Sequence, residues 1–196
     1  MVEIEVESDF FSTKAGQHAG AAKQFLEAAR VLDKAPLEQI RLLFRPTLHL
    51  AGHGLELMLK ACSFLNDVEP NTKGPQGHNI AYLWSQSVCE PVKKHVRYNA
   101  HLAVAEARTS PRYLGVPAME EVDQLINEYI EVLCELHGPG KGYPLRYPAA
   151  PDAHARRTPL LVQSLWRTAD DLVKRPNDFR LDRFHNFIAD CLRPKL

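Results

Sequence analysis

Apolar positions recur at intervals of three and four through most of this chain, the period of an amphipathic helix. Ser12 and Thr13 are cap residues for a helix reaching about Lys34, with Ala22, Phe25, Leu26, Ala29 and Leu32 on one face. Pro36 then opens the longest periodic run: Leu37, Ile40, Phe44, Leu48, Ala51, Leu55, Met58, Cys62 and Leu65. Pro46 lies inside that run. It lacks a backbone donor and crowds the preceding turn, so a kink or break is expected near Arg45. The polar residues 66–78 read as a loop. A short helix with Ile80, Leu83 and Trp84 follows. Glu90-Pro91 opens another, whose face of Val92, Val96, Ala100, Ala103 and Ala107 is small enough for close packing. Residues 118–137 carry Val122, Leu125, Ile126, Tyr129, Leu133 and Leu136, and Gly138 is suited to end that helix.

Residues 138–157 change character. They are rich in Gly and Pro, and Tyr143, Leu145 and Tyr147 alternate, which predicts an extended insert leaving the bundle. It could pair as an edge strand with the alternating residues 1–10, where Val2, Ile4 and Val6 share a face. Thr158-Pro159 predicts a new helix bearing Leu161, Leu165, Thr168 and Leu172, stopped by Pro176. A last short helix holds Phe184, Phe187, Ile188 and Cys191. With no alternation of strands and helices, the expected fold is all-α. It is an antiparallel helical bundle of four to five main helices with a short extended Pro/Gly-rich insert. One domain, 1–196, is expected, with a core at 12–137, the insert at 138–157 and C-terminal helices at 158–196.

Composition narrows the function classes. The chain has 196 residues, with 24 Lys+Arg balancing 24 Asp+Glu, so net charge alone will not hold it on nucleic acid. Its 45% apolar content suits an ordinary globular core. Cys62, Cys89, Cys134 and Cys191 form no Cys-x-x-Cys pair and sit in apolar helical patterns, so they read as small buried hydrophobes in a reducing cytosol. The first residues are acidic and unlike a signal peptide, and no apolar run approaches the roughly 20 residues of a membrane span. A cytoplasmic protein that does not enter the membrane is therefore expected. Gly138-Pro-Gly-Lys-Gly142 lacks the spacing of a phosphate loop.

Three constellations carry possible chemistry. His49, His53 and Glu56 fall on one helix face, a spacing that can direct two imidazoles and a carboxylate to one ion. The chain contains no Glu-x-x-His, which argues against di-iron chemistry. A metal-binding bundle centred on His49 and His53 is the least favoured class, these residues reading first as boundary histidines, and no metal ligand or cofactor is assigned. Arg97, His101 and Arg108 share a face opposite the small-residue stripe and could hold an anion, with Arg112 just beyond. Arg180 and His185 are separated by four residues. Histidine moves a proton near neutral pH and arginine holds charge growing on a phosphoryl oxygen, a pairing suited to metal-independent RNA cleavage.

The segment 48–61, with Glu56-Leu-Met-Leu-Lys-Ala61, resembles the second core helix of HEPN (higher eukaryotes and prokaryotes nucleotide-binding) domains. The loop 66–77, then His78-Asn-Ile-Ala-Tyr-Leu83, continues the resemblance, and Ala21-Ala-Lys-Gln-Phe-Leu-Glu-Ala-Ala29 is similar to the usual preceding helix. It covers roughly residues 12–137. Read from the residues alone, Glu56 and Lys60 are an i, i+4 pair near a helix boundary, and His78 suits a helix start. The resemblance implies an all-α bundle, often dimeric. Some members bind nucleotide or RNA or act as interaction modules, often beside a nucleotidyltransferase. Others are toxin-type ribonucleases marked by Arg, four to six residues, then His. Only Arg180 and His185 match that spacing, and they lie beyond the region of clearest similarity. The leading expectation is a HEPN-like binding or interaction module, a homodimer with a nucleotide or RNA ligand. The alternative is a metal-independent endoribonuclease using Arg180 and His185.

Overall fold

A computed structural model describes residues 9–71, 75–109, 116–138, 144–145 and 159–183. Among these the fold is all-α: α1 (Lys14–Asp33), α2 (Leu37–Leu65), α3 (Ile80–Ser85), α4 (Glu90–Thr109), α5 (Val122–His137) and α6 (Pro159–Lys174), with short 3-10 turns between several of them. The expected strand at 1–10 falls almost entirely outside the described residues. So do Tyr143, Tyr147 and most of the insert, Arg112, and the last helix with His185.

α1 begins where Thr13 caps it, its Oγ1 accepting from the Gly16 amide at 3.0 Å. Residues 34–36 turn the chain back, and α2 packs along α1 as a helical hairpin. The seam is close because its side chains are small. Ala15, Ala19, Ala22 and Ala29 are buried on α1, and a Cβ on Gly54 of α2 would stand 2.5 Å from Leu26 Cγ. α6 lies against both α1 and α4. Trp166 fastens it to α1: its indole donates to Glu27, Lys23 Nζ lies 3.9 Å from the ring centroid, and Lys23 pairs with Asp170 at 2.9 Å.

α2 is the spine of the core. Leu48, Ala51, Leu55, Met58, Leu59 and Cys62 are buried along it, as its periodicity predicts. The break expected near Arg45 does not occur: α2 runs unbroken through Pro46. Arg45 and Pro46 are exposed and Leu42 strongly so, which leaves water to solvate the carbonyl that loses its donor. The C-terminus of α2 is tied to the segment after α6 by Asn66. Its side chain donates to the Phe179 carbonyl at 3.0 Å and accepts from the Leu181 amide at 2.7 Å. Around the spine, Val92, Val96 and Ala100 of α4, Ile126, Ile130 and Leu133 of α5, and Leu161, Leu165 and Leu172 of α6 complete one core. Burial pushes the Cys89 thiol up to about 11 and Cys134 to about 12, so both are neutral packing groups rather than ready nucleophiles.

Leu55 is fully buried at the centre of α2. Leu55→Ala should lower unfolding free energy by about 2–5 kcal/mol in a urea or thermal melt, the spread reflecting how far the site can collapse. An unchanged melt would remove α2 as the spine.

Candidate functional site

One turn-by-turn stripe of α2 departs from the apolar pattern: His49, Gly52, Glu56, Lys60 and Ser63 follow one another at intervals of three and four. The sequence places Glu56 and Lys60 near a helix boundary. The structure corrects this, because both lie in the interior of α2 with Glu56 only 1% and Lys60 5% exposed. A lone buried charge would cost several kcal/mol, so each must be met. Lys60 Nζ donates to Glu56 Oε1 at 2.6 Å, one helical turn away.

The second partner comes from the chain after α2. The 3-10 turn Pro75–His78 carries His78 back over α2, and its Nδ1 lies 3.0 Å from Glu56 Oε1. The third comes from the far end of α5. His137 is fully buried, and its Nε2 lies 3.4 Å from Glu56 Oε2. His53, one turn before Glu56, places Nδ1 3.9 Å from the same Oε2. The two carboxylate oxygens are thus divided. Oε1 faces Lys60 and His78, while Oε2 faces His137 and His53. Burial works against ionisation of Glu56, but the contacts from His137, His53 and Lys60 outweigh it and hold the carboxyl well below the usual carboxylate range.

The rings are packed as well as hydrogen-bonded. His49 and His137 stack with centroids 5.7 Å apart, and His53 meets Phe25 edge to face at 4.4 Å. Gly52 makes the approach of α5 possible: a Cβ there would lie 2.7 Å from His137 Nδ1. Around Glu56 the His78 side chain is 47% exposed and that of His53 30%, and the His49 residue beside them is half-buried. One nitrogen each of His53 and His137 and one Glu56 oxygen all fall within 4.8 Å of one another, a set of donor types suited to a transition metal.

The anion-binding trio is placed differently. His101 Nε2 meets Asp123 at 3.0 Å, and Arg108 donates to the Pro117 carbonyl at 2.8 Å. Arg97 is half-buried, and its Nε makes no hydrogen bond among the described residues. Arg180 is partly exposed, 4.0 Å from Asp182, and its sequence partner His185 lies outside the described residues. A separate polar knot joins α4 to α6. Asp171 accepts from Asn99 at 2.9 Å and Arg175 at 2.6 Å, with His95 3.7 Å away and stacked on Phe179.

Sequence reading found His49, His53 and Glu56 as a group but missed His137. The available signal was its position. Ile126, Ile130, Leu133 and His137 continue one buried stripe of α5, and an imidazole in a core stripe requires a partner. Comparison of the chain with known protein families, with curated proteins and with solved structures finds no match.

Two outcomes follow for this cluster. The folded state holds the Glu56 proton less tightly than the unfolded chain does, whose glutamate titrates near about 4.3. Its contribution to stability is therefore complete above that pH and is lost as pH falls toward the depressed folded value, by about 1.4 kcal/mol per unit. In a carboxyl-carbon NMR titration, Glu56 should still show its ionised shift at about pH 3, where exposed glutamates are mostly protonated. A Glu56 signal moving with the exposed glutamates would contradict the network. Gly52→Ala should cost about 1–3 kcal/mol and displace the His137 ring resonances, because its methyl occupies the space of that imidazole.

Proposed function

We propose that the protein is a HEPN-like helical module that binds a phosphate-bearing ligand, a nucleotide or RNA, at the exposed edges of His53 and His78. The observation that carries the reading is the meeting of Glu56, Lys60 and His78 in one buried network. These are residues on which the resemblance rests, and they stand 22 positions apart from first to last. Their spatial union supports the motif as a unit rather than as a chance run of aliphatic helix.

Charge supports the choice of ligand. The chain as a whole is neutral, so recognition of a phosphate must be local. Within the cluster Lys60 cancels Glu56, and the remaining members are imidazoles. They add ring nitrogens able to donate to phosphate oxygens without adding negative charge, and His53 and His78 reach solvent. In this reading the module works in the cytoplasm as a homodimer, with a nucleotidyltransferase as the class of protein partner. Among the described residues no helix is long and apolar enough to cross a membrane.

The test is fluorescence anisotropy with a labelled single-stranded RNA and with a fluorescent ATP analogue, each titrated at two salt concentrations. Saturable binding that weakens with salt is expected, as counterion release requires. His78→Ala should reduce affinity about tenfold, and should also lower stability by about 1–3 kcal/mol because buried Glu56 Oε1 loses a partner, so affinity is read at a temperature where circular dichroism shows the variant folded. Failure of both ligands to bind would end the reading. The ribonuclease alternative is read in the same samples. RNA shortened in the presence of EDTA, and left intact by His185→Ala, would favour it over simple binding.

A further inference from the structure

We propose that His53, Glu56 and His137 form a site for one divalent transition-metal ion, with zinc the foremost candidate. The site draws two ligands from α2 and one from the last residue of α5. It shares His53 with the phosphate-binding reading but draws otherwise on Glu56 Oε2 and the buried His137, and it is tested with the metal alone, so either reading can fail without the other.

The geometry is that of a coordination shell. Two ligands each about 2.1 Å from a tetrahedral ion stand about 3.4 Å apart. His137 Nε2 and Glu56 Oε2 are 3.4 Å apart, and His53 Nδ1 is 3.9 Å from the same oxygen. All three donors lie within 4.8 Å of one another. Two imidazole nitrogens and one carboxylate oxygen suit zinc and its neighbours rather than calcium or magnesium, which favour oxygen shells. Three protein ligands leave a coordination position free, and His53, the one partly exposed member, marks the side from which an ion and a water would enter.

The rest of the cluster acts as the support that metal ligands need. Lys60 and His78 both engage Oε1, at 2.6 and 3.0 Å, which fixes the carboxylate plane and leaves Oε2 to the other two imidazoles. Phe25 packs edge-on against the His53 ring, and the His49 ring stacks on His137, so both ligand rings are oriented before any ion arrives. Gly52 allows His137 to sit this close to α2. The described cysteines do not compete, since burial keeps Cys62, Cys89 and Cys134 protonated.

The test uses the full chain, stripped with EDTA and dialysed, then titrated by calorimetry with zinc chloride alone and spectroscopically with cobalt(II) chloride. One equivalent per chain is expected, with a visible cobalt spectrum of four- or five-coordinate type and no thiolate charge-transfer band. His53→Ala leaves the Glu56–Lys60 pair and buried His137 in place and should weaken zinc at least tenfold, whereas His101→Ala, on α4, should not. His137→Gln serves as the second ligand variant, with circular dichroism confirming that each protein is folded. Zinc affinity unchanged in folded His53→Ala and His137→Gln would overturn the proposal. So would a cobalt–thiolate band, or the absence of stoichiometric binding by the wild-type chain.

Discussion

The ion pair between Glu56 and Lys60 sets the terms for the rest of the molecule. Two charges taken out of water lose several kcal/mol of hydration each, and their mutual attraction repays this only when the remaining hydrogen-bonding capacity is also used. An i, i+4 pair forms within one helix, but it cannot exclude water from itself. Burial to 1% and 5% exposure requires other segments to lie over it. The turn at Pro75–His78 and the end of α5 do so, and each brings an imidazole rather than an apolar side chain. The paths of the loop after α2 and of α5 are therefore constrained by one carboxylate. A register change in α5 would remove His137 and leave Oε2 facing an apolar helix.

Close approach is the second constraint, and it is met by omission of side chains. α2 carries Gly52 toward α5 and Gly54 toward α1, two residues apart and therefore on different faces of the same helix. Glycine in a helix interior costs roughly 1 kcal/mol relative to alanine. Here the cost is offset by contacts that a methyl would forbid: Leu26 packed against one backbone face and His137 against another. The alanines of α1 extend the same device along the hairpin. The polar cluster and the tight hairpin thus share a four-residue stretch of α2, residues 51–54, just before the glutamate.

The helices were legible because burial follows period. Every helix of the described core appears in the spacing of its apolar residues, and Thr13, Pro36 and Pro176 mark boundaries where local chemistry sets them. The break expected at Pro46 is absent because a proline on an exposed helix face costs a hydrogen bond without ending the helix. The cluster was half legible. Charged residues default to the surface, so Glu56 and Lys60 read as an i, i+4 pair near a helix boundary, although with His49 and Gly52 they align in one stripe of the buried helix. His137 was hidden by distance, 81 positions from Glu56, and by its place at a helix end, where a basic residue has a ready explanation in the helix dipole. Sequence spacing finds partners within one helix; a carboxylate shared between a helix, a turn and a second helix is a property of tertiary packing.

Stability alone does not account for this arrangement. Well-packed apolar residues of similar volume often replace a buried ion pair at no cost or with a gain, so a bundle selected only to fold had a simpler solution along α2. What apolar residues cannot do is hold imidazoles at fixed distances from an anionic oxygen while leaving two of them at the surface. Lys60 is the informative member. It touches only Oε1, reaches solvent hardly at all, and so contributes nothing to a ligand directly. Its effect is to hold Oε1 in place and to add to the contacts from His137 and His53 that keep Glu56 ionised. The other oxygen is thereby left in one orientation, between His53 and His137, with an open side toward solvent at His53. A buried lysine fixing a carboxylate, and a glycine admitting a histidine to it, are costs that the proposed binding site would account for and that a purely apolar core would not require.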